Sequence, residues 1–167
     1  MRVTPELAEL LGAYAGDGTM SVTSAGGRVM SIAASLEEKG WFESLVDIFG
    51  SSMGYAPSVR RNNNVFKIQT GVGRVCDYFN RAGFPVGRKA AVVRVPKVVM
   101  KSSDQAVRSA FLRGFFDADG SIYFGKDNRE KYSEFKRTYH YYPKISLASI
   151  SMDLIFTDIR ELFGQDF

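Results

Sequence analysis

Two short segments hold the residues best able to do chemistry. Residues 10–19 read Leu-Leu-Gly-Ala-Tyr-Ala-Gly-Asp-Gly-Thr, and residues 112–121 read Leu-Arg-Gly-Phe-Phe-Asp-Ala-Asp-Gly-Ser. The shared pattern is Leu-x-Gly-x-x-x-(Gly or Ala)-Asp-Gly-(Ser or Thr), and each copy ends on an aspartate, Asp17 or Asp119. Two carboxylates held close repel one another unless a proton or a cation lies between them. Mg²⁺ suits such a pair, because it takes oxygen ligands and commonly only one or two protein carboxylates, leaving room for water and phosphate. Phosphodiester hydrolysis uses such ions to activate water and to stabilise the leaving oxygen. One Asp-Gly after a helix is an ordinary turn. Its repetition on the same small-residue background points further.

That background concerns the elements that must bring the aspartates together. Gly12 and Gly16 lie four apart on one helical face, as do Gly114 and Ala118. Glycine inside a helix costs about 1 kcal/mol relative to alanine. Its recurrence at matching places therefore predicts a helix interface of Gly12, Gly16, Gly114 and Ala118, with Asp17 beside Asp119 at the shared end. The glycine after each aspartate is expected to allow an unusual backbone turn.

Around each motif the remaining elements follow from pattern. Thr4 is a good N-cap and Pro5 a good first helical residue, and Leu7, Leu10, Leu11 and Tyr14 recur at helical spacing. Strands are predicted over 20–23 and 29–35, with Ala25-Gly26-Gly27 as the turn. An amphipathic helix over 37–49, a second hairpin over 55–61 and 65–70, and a helix over 73–81 complete the first copy. The second copy opens on a Ser102-x-x-Gln105 capping-box pattern. A helix to about Asp117, strands over 121–124 and 144–149 around an insert, and a helix over 152–163 follow. Residues 41–50 echo 155–164, but nothing after Phe167 matches residues 51–90. The expected division is a first repeat with linker over 1–98 and a second repeat over 99–167 that lacks its last hairpin and helix.

The paired motifs resemble those of the LAGLIDADG homing endonucleases in their two-repeat, single-chain form, over almost the whole chain. The stretch Phe-Leu-Arg-Gly-Phe-Phe-Asp-Ala-Asp-Gly over 111–120 is a close match, and the first copy keeps the Gly-Asp-Gly end. The resemblance implies an α+β fold: a pseudo-twofold duplicated αββαββα unit whose antiparallel sheets form a DNA-binding saddle, here with an incomplete second repeat. It implies that Asp17 and Asp119 hold the catalytic metal, with the backbone carbonyls of Gly16 and Ala118 as further ligands. Asp117 caps or packs, because Ala15 stands at that place in the first copy. Lys89, in Pro-Val-Gly-Arg-Lys-Ala-Ala over 85–91, matches the family's active-site lysine, with Arg88 second. It would stabilise phosphate charge or polarise water; a solvated linker lysine is the alternative.

By the same resemblance, the reaction is site-specific, Mg²⁺-dependent double-strand cleavage by an intron-encoded or free-standing mobile-element enzyme. Mn²⁺ would substitute and Ca²⁺ would bind without supporting cleavage. An RNA maturase, a non-catalytic DNA-binding protein of the same fold and an inactive truncated fragment are the alternatives. The partner would be a long, pseudo-palindromic duplex, and the protein a monomer if complete, with association possible if truncated. Strand alternation offers Thr19, Ser21, Thr23, Arg28, Met30, Ser58, Arg60, Lys67 and Gln69 as DNA contacts in the first copy. In the second copy the candidates are Ser121, Tyr123, Lys126, Arg129, Lys136, Arg137, His140 and Lys144, in or beside a basic, aromatic insert.

Composition narrows the rest. The chain has 167 residues and a net charge of +4, with 45% hydrophobic and 24% charged residues, an ordinary globular mix that excludes disordered, collagenous and coiled-coil classes. One cysteine, Cys76, and one histidine, His140, exclude a disulfide framework, a cysteine zinc site and His-rich metal sites. No apolar run approaches the ~20 residues of a membrane span. No basic-then-apolar leader follows Met1, so an intracellular protein, in a prokaryotic cytoplasm or an organelle, is expected. The basic residues cluster: Arg88, Lys89, Arg94, Lys97, Lys101 and Arg108 stand against one acid, Asp104.

Overall fold

A computed structural model describes residues 3–127 and 140–164, without the side chains of 126–142. Helix α1 (Pro5–Asp17) begins as its cap requires: the Thr4 hydroxyl accepts from the Leu7 N–H at 3.3 Å. Its partner is α5 (Gln105–Asp119). The capping box expected at Ser102 does not form. A short helix α4 (Lys97–Met100) precedes, and Asp104, directly before the first turn of α5, accepts from the Ala106 N–H at 2.9 Å. Ser102 instead accepts from the Asp104 N–H at 3.2 Å.

The two motif helices meet backbone to backbone. A Cβ built on Gly12 would stand 2.1 Å from the Phe111 carbonyl oxygen, and one on Gly114 would stand 2.1 Å from that of Glu9. Those contacts are reciprocal, as a pseudo-twofold axis between the helices demands. At the lower end a Cβ on Gly16 would lie 2.5 Å from the Ala118 Cβ. Leu7, Leu10, Leu11 and Tyr14 of α1 and Phe111 and Phe115 of α5 are buried beside this seam.

The glycines after the aspartates have a different purpose from the one expected. Gly18 (φ −77°, ψ 148°) and Gly120 (φ −92°, ψ 161°) are extended, in a region open to any residue. They are glycine because a Cβ would collide with the ring four residues back, 2.3 Å from Tyr14 Cδ2 and 2.3 Å from Phe116 Cδ2 respectively.

From these points the chain passes directly into sheets. In the first half β1 (Gly18–Val22), β2 (Arg28–Ser35), β3 (Ser58–Asn62) and β4 (Val65–Thr70) form one antiparallel sheet in the order β1-β2-β4-β3. A 3₁₀ turn (Leu36–Glu38) with a Ser35/Glu38 capping box leads into α2 (Lys39–Met53), and α3 (Gly73–Arg81) follows β4. Met20, Met30, Ile32 and Ile68 pack inward with Phe42, Leu45, Cys76, Phe79 and Phe84 in one core. In the second half β5 (Gly120–Asp127) and β6 (His140–Leu147) pair, so strand extends into both ends of the insert. The helix expected over 152–163 contains a π-helical stretch (Leu154–Ile159) before α6 (Arg160–Phe163). No described helix is long and apolar enough to cross a membrane.

Candidate active site and nucleic-acid face

Asp17 and Asp119 are the last residues of α1 and α5, so the glycine seam delivers both carboxylates to the same level. A Cβ on Gly16 would lie 3.2 Å from Asp119 Oδ2, which shows how near the second carboxylate stands to the first helix. Burial, then the Asp119 charge and that of Glu38, push the Asp17 carboxyl up to about 6, with Lys89 opposing. Burial also raises Asp119, again opposed by Lys89. Both shifts mark a half-buried acidic pair short of positive charge.

Lys89 is 9% exposed and its ammonium is held at the end of α1. Its Nζ donates to the Ala15 and Gly16 carbonyl oxygens, each at 2.6 Å. A cation at a helix C-terminus also meets the negative end of the helix dipole. Burial lowers its pKa, while Asp119 and Asp17 raise it. The solvated-linker alternative for Lys89 is therefore wrong, whereas Arg88 is exposed. The Gly16 carbonyl, expected as a metal ligand, accepts a hydrogen bond from Lys89, which uses one of its two lone pairs. A cleft of about 420 Å³ opens beside this group, lined by Gly16, Lys89, Val93, Asp119, Ser149 and Ile150 among others. A larger cavity of about 1010 Å³ between α2, α3 and residues 94–98 has no carboxylate in its lining and holds none of this chemistry.

A divalent ion fits the donor set. Two carboxylates end the paired helices, and the Asp119 charge adds to the rise at Asp17 while the Lys89 ammonium opposes it. Among the described residues no group of three or more His, Cys, Asp or Glu gathers. Two carboxylates would leave most of a divalent ion's oxygen shell to water and phosphate.

Beyond the pair lies the open face of the first sheet. Register places Thr19 opposite Ser31, Ser31 opposite Gln69, and Gln69 opposite Ser58, a polar row across all four strands. Lys67 opposite Arg60 forms the next row. Thr19, Ser21, Ser58, Arg60, Lys67 and Gln69 therefore share one face, and Thr23 lies in the turn. Met30 and Arg28 do not. Met30 pairs with Met20 and is fully buried, and Arg28 is ion-paired with Asp77 of α3. The cause is the hairpin loop: Thr23 N–H bonds the Gly27 carbonyl at 2.7 Å, and Gly26 takes φ 80°. That loop pairs Val22 with Arg28 and turns the odd-numbered residues of β2 outward. Ser31 shares the outward parity but is buried within the row, its hydroxyl bonded to Thr19.

The second sheet repeats the design. Ser121 lies opposite Ser146 and Tyr123 opposite Lys144, whose ammonium sits 5.7 Å from the ring centroid. The Thr19 and Ser31 hydroxyls bond at 2.9 Å, and their counterparts Ser121 and Ser146 at 2.7 Å. Arg129, Lys136 and Arg137 lie outside the described residues, as do the side chains of Lys126 and His140.

Comparison with known proteins adds the class. No protein-family model matches the sequence, nor does any curated protein. Solved structures do. Mesophilic variants of the homing endonuclease I-DmoI match 80% of this chain and 69% of their own, with TM-score 0.51 and 14% identity. I-SmaMI, bound to an uncleaved DNA target with calcium ions, matches 87% of this chain and 67% of its own, at TM-score 0.53 and 14% identity. The LAGLIDADG meganuclease I-AabMI, bound to uncleaved DNA, matches 87% and 66%, at TM-score 0.53 and 14% identity. The fold is that of the LAGLIDADG homing endonucleases, as the motif resemblance implied.

Proposed function

We propose that this chain is a site-specific DNA endonuclease that hydrolyses phosphodiesters between its two motif helices. The observation that carries this reading is the convergence of Asp17 and Asp119 at the end of a reciprocal glycine seam, with the Lys89 ammonium beside them. The neighbours support it: I-SmaMI was seen on uncleaved DNA with calcium, and an I-DmoI variant on its target with manganese.

Asp17 and Asp119 would hold Mg²⁺, with Mn²⁺ as a substitute. When bound, the ion would activate water and neutralise charge on the leaving oxygen. The chain's own residues do the rest. The helix seam fixes the separation of the carboxylates, so no reorganisation is needed as charge develops. Lys89 holds a positive charge where the phosphate would lie. Thr19, Ser21, Ser58, Arg60, Lys67 and Gln69, with Ser121, Tyr123 and Lys144, would face the major groove, where Arg and Gln pair bidentately with guanine and adenine.

The test is a plasmid library carrying randomised inserts, incubated with protein and Mg²⁺, with cut ends recovered by sequencing. Cleavage at one recurrent sequence, stopped by EDTA, is expected. A protein with intact Asp17 and Asp119 that cuts no member of the library would overturn the reading.

A further inference from the structure

The segment that carries Lys89 is fastened to the second half of the molecule. The Lys89 carbonyl accepts from Val92 and Val93 N–H at 2.9 and 2.8 Å, which ties the lysine into a tight turn. At the end of that turn the Ser151 hydroxyl donates to the Val93 carbonyl at 2.7 Å in a buried contact. Two residues on, Val95 N–H donates to Asp158 Oδ2 at 2.8 Å. Between them Arg94 forks onto Asp158, Nε to Oδ2 at 2.8 Å and Nη2 to Oδ1 at 2.6 Å, while its Nη1 reaches Asp153 at 3.1 Å.

Asp158 is buried and lies in the π-helical stretch Leu154–Ile159. A π-turn adds one residue to the ring and so redirects the side chains within it; such turns recur at functional positions. A buried carboxylate is a weak source of stability, since apolar replacements of such pairs are often neutral or better. The bidentate fork instead offers geometric definition. We infer that Asp158 is a positioning residue: by gripping Arg94 and Val95 it fixes the turn that presents the Lys89 ammonium to the end of α1. The second half thereby controls a charge in the shared site. The role in cleavage rests on the function proposed above; the positioning itself does not.

The first measurement is independent of activity. Pulse acetylation of the apo protein, read by mass spectrometry, reports the reactivity of Lys89 against exposed Lys39, while alkylation of buried Cys76 reports general opening. Asp158→Ala is expected to speed Lys89 modification about tenfold with Lys39 and Cys76 unchanged, because coupling is confined to groups that share partners. Asp158→Asn keeps an acceptor for Val95 N–H and should lie between; it also serves if the alanine variant does not fold. Unchanged Lys89 reactivity in the folded variants, or a matching rise at Cys76, overturns the inference.

The second measurement is a double-mutant cycle on single-turnover cleavage. Asp158→Asn should slow cutting without weakening DNA binding, and should add nothing to Lys89→Ala. Additive losses overturn positioning through Lys89. A wild-type protein that cuts no DNA sinks the proposed function alone, since the labelling still decides the clasp.

Discussion

Behind β1 and β2, Met20 and Met30 are 2% and 0% exposed; at the matching places behind β5 and β6, Ile122 and Ile145 are 59% and 71% exposed. The outer faces of the two hairpins share the paired hydroxyls of Thr19 with Ser31 and Ser121 with Ser146, and then differ, with Ser21 opposite Val29 in one and Tyr123 opposite Lys144 in the other. The difference lies in what packs behind. In the first half β4 pairs with β2, and α3 adds Cys76 and Phe79 to the core. Among the described residues of the second half, the apolar face of β5 and β6 has no such cover, and Phe124, Ile150, Met152 and Phe156 are exposed near it in the chain. Similar motif ends thus sit on hairpins with different backing among the described residues, because the helix seam is shared while each sheet packs on its own elements.

The sharpest way to break this comparison is to ask whether the halves contribute equally at the seam. Asp17→Asn and Asp119→Asn should each reduce single-turnover cleavage by about 10²–10³-fold, the scale of losing one strong electrostatic group in a preorganised site. Similar losses mean one shared centre. A large loss from one variant and none from the other would show a centre built by one half alone.

Next in size is the backing itself. Met30→Ala should cost about 2–5 kcal/mol, the range for truncating a buried Met. Ile145→Ala should cost within about 0.5 kcal/mol, as for a surface position. Urea unfolding of both variants measures the pair. Equal costs would mean that the second sheet is covered in solution.

The smallest effect concerns charge. Burial, then the Asp119 charge, pushes the Asp17 carboxyl from an ordinary 3.8 up to about 6, so the folded state binds its proton more tightly than the unfolded chain does. In metal-free protein, stability should be greatest below pH 3.8 as far as this group is concerned, and should fall as pH rises through about 6. Asp17→Asn should flatten that slope in thermal melts across the interval. A slope of the opposite sign would mean that Asp17 is held by a cationic partner stronger than Lys89.

Much of the site could be read from residue order. The Thr4-Pro5 start, the four-residue spacing of Gly12 and Gly16, its echo at Gly114 and Ala118, and the terminal aspartates are signals carried within a few turns of helix. Local backbone geometry turns such spacing into a face without help from the rest of the chain. Hence the helix pair, the convergence of Asp17 and Asp119 and the duplicated α+β plan all agree with the folded molecule. The assignments of Arg28 and Met30 failed because strand facing depends on hairpin register, and one residue in the loop inverts it.

Lys89 lay between these cases. The family resemblance of its segment marked it, but only packing revealed an ammonium donating to the carbonyls at the end of α1. Ser31 carried a signal only in the parity of β2, which depends on the hairpin, and Asp158 carried none, since its contacts are with Arg94 and Val95 on a distant segment. The sequence by itself determined which helices meet and which carboxylates they carry, because those features repeat at fixed spacing. Tertiary structure alone decided which strand faces look outward, which surface is covered and what holds Lys89 in place, because those depend on contacts between segments far apart in the chain.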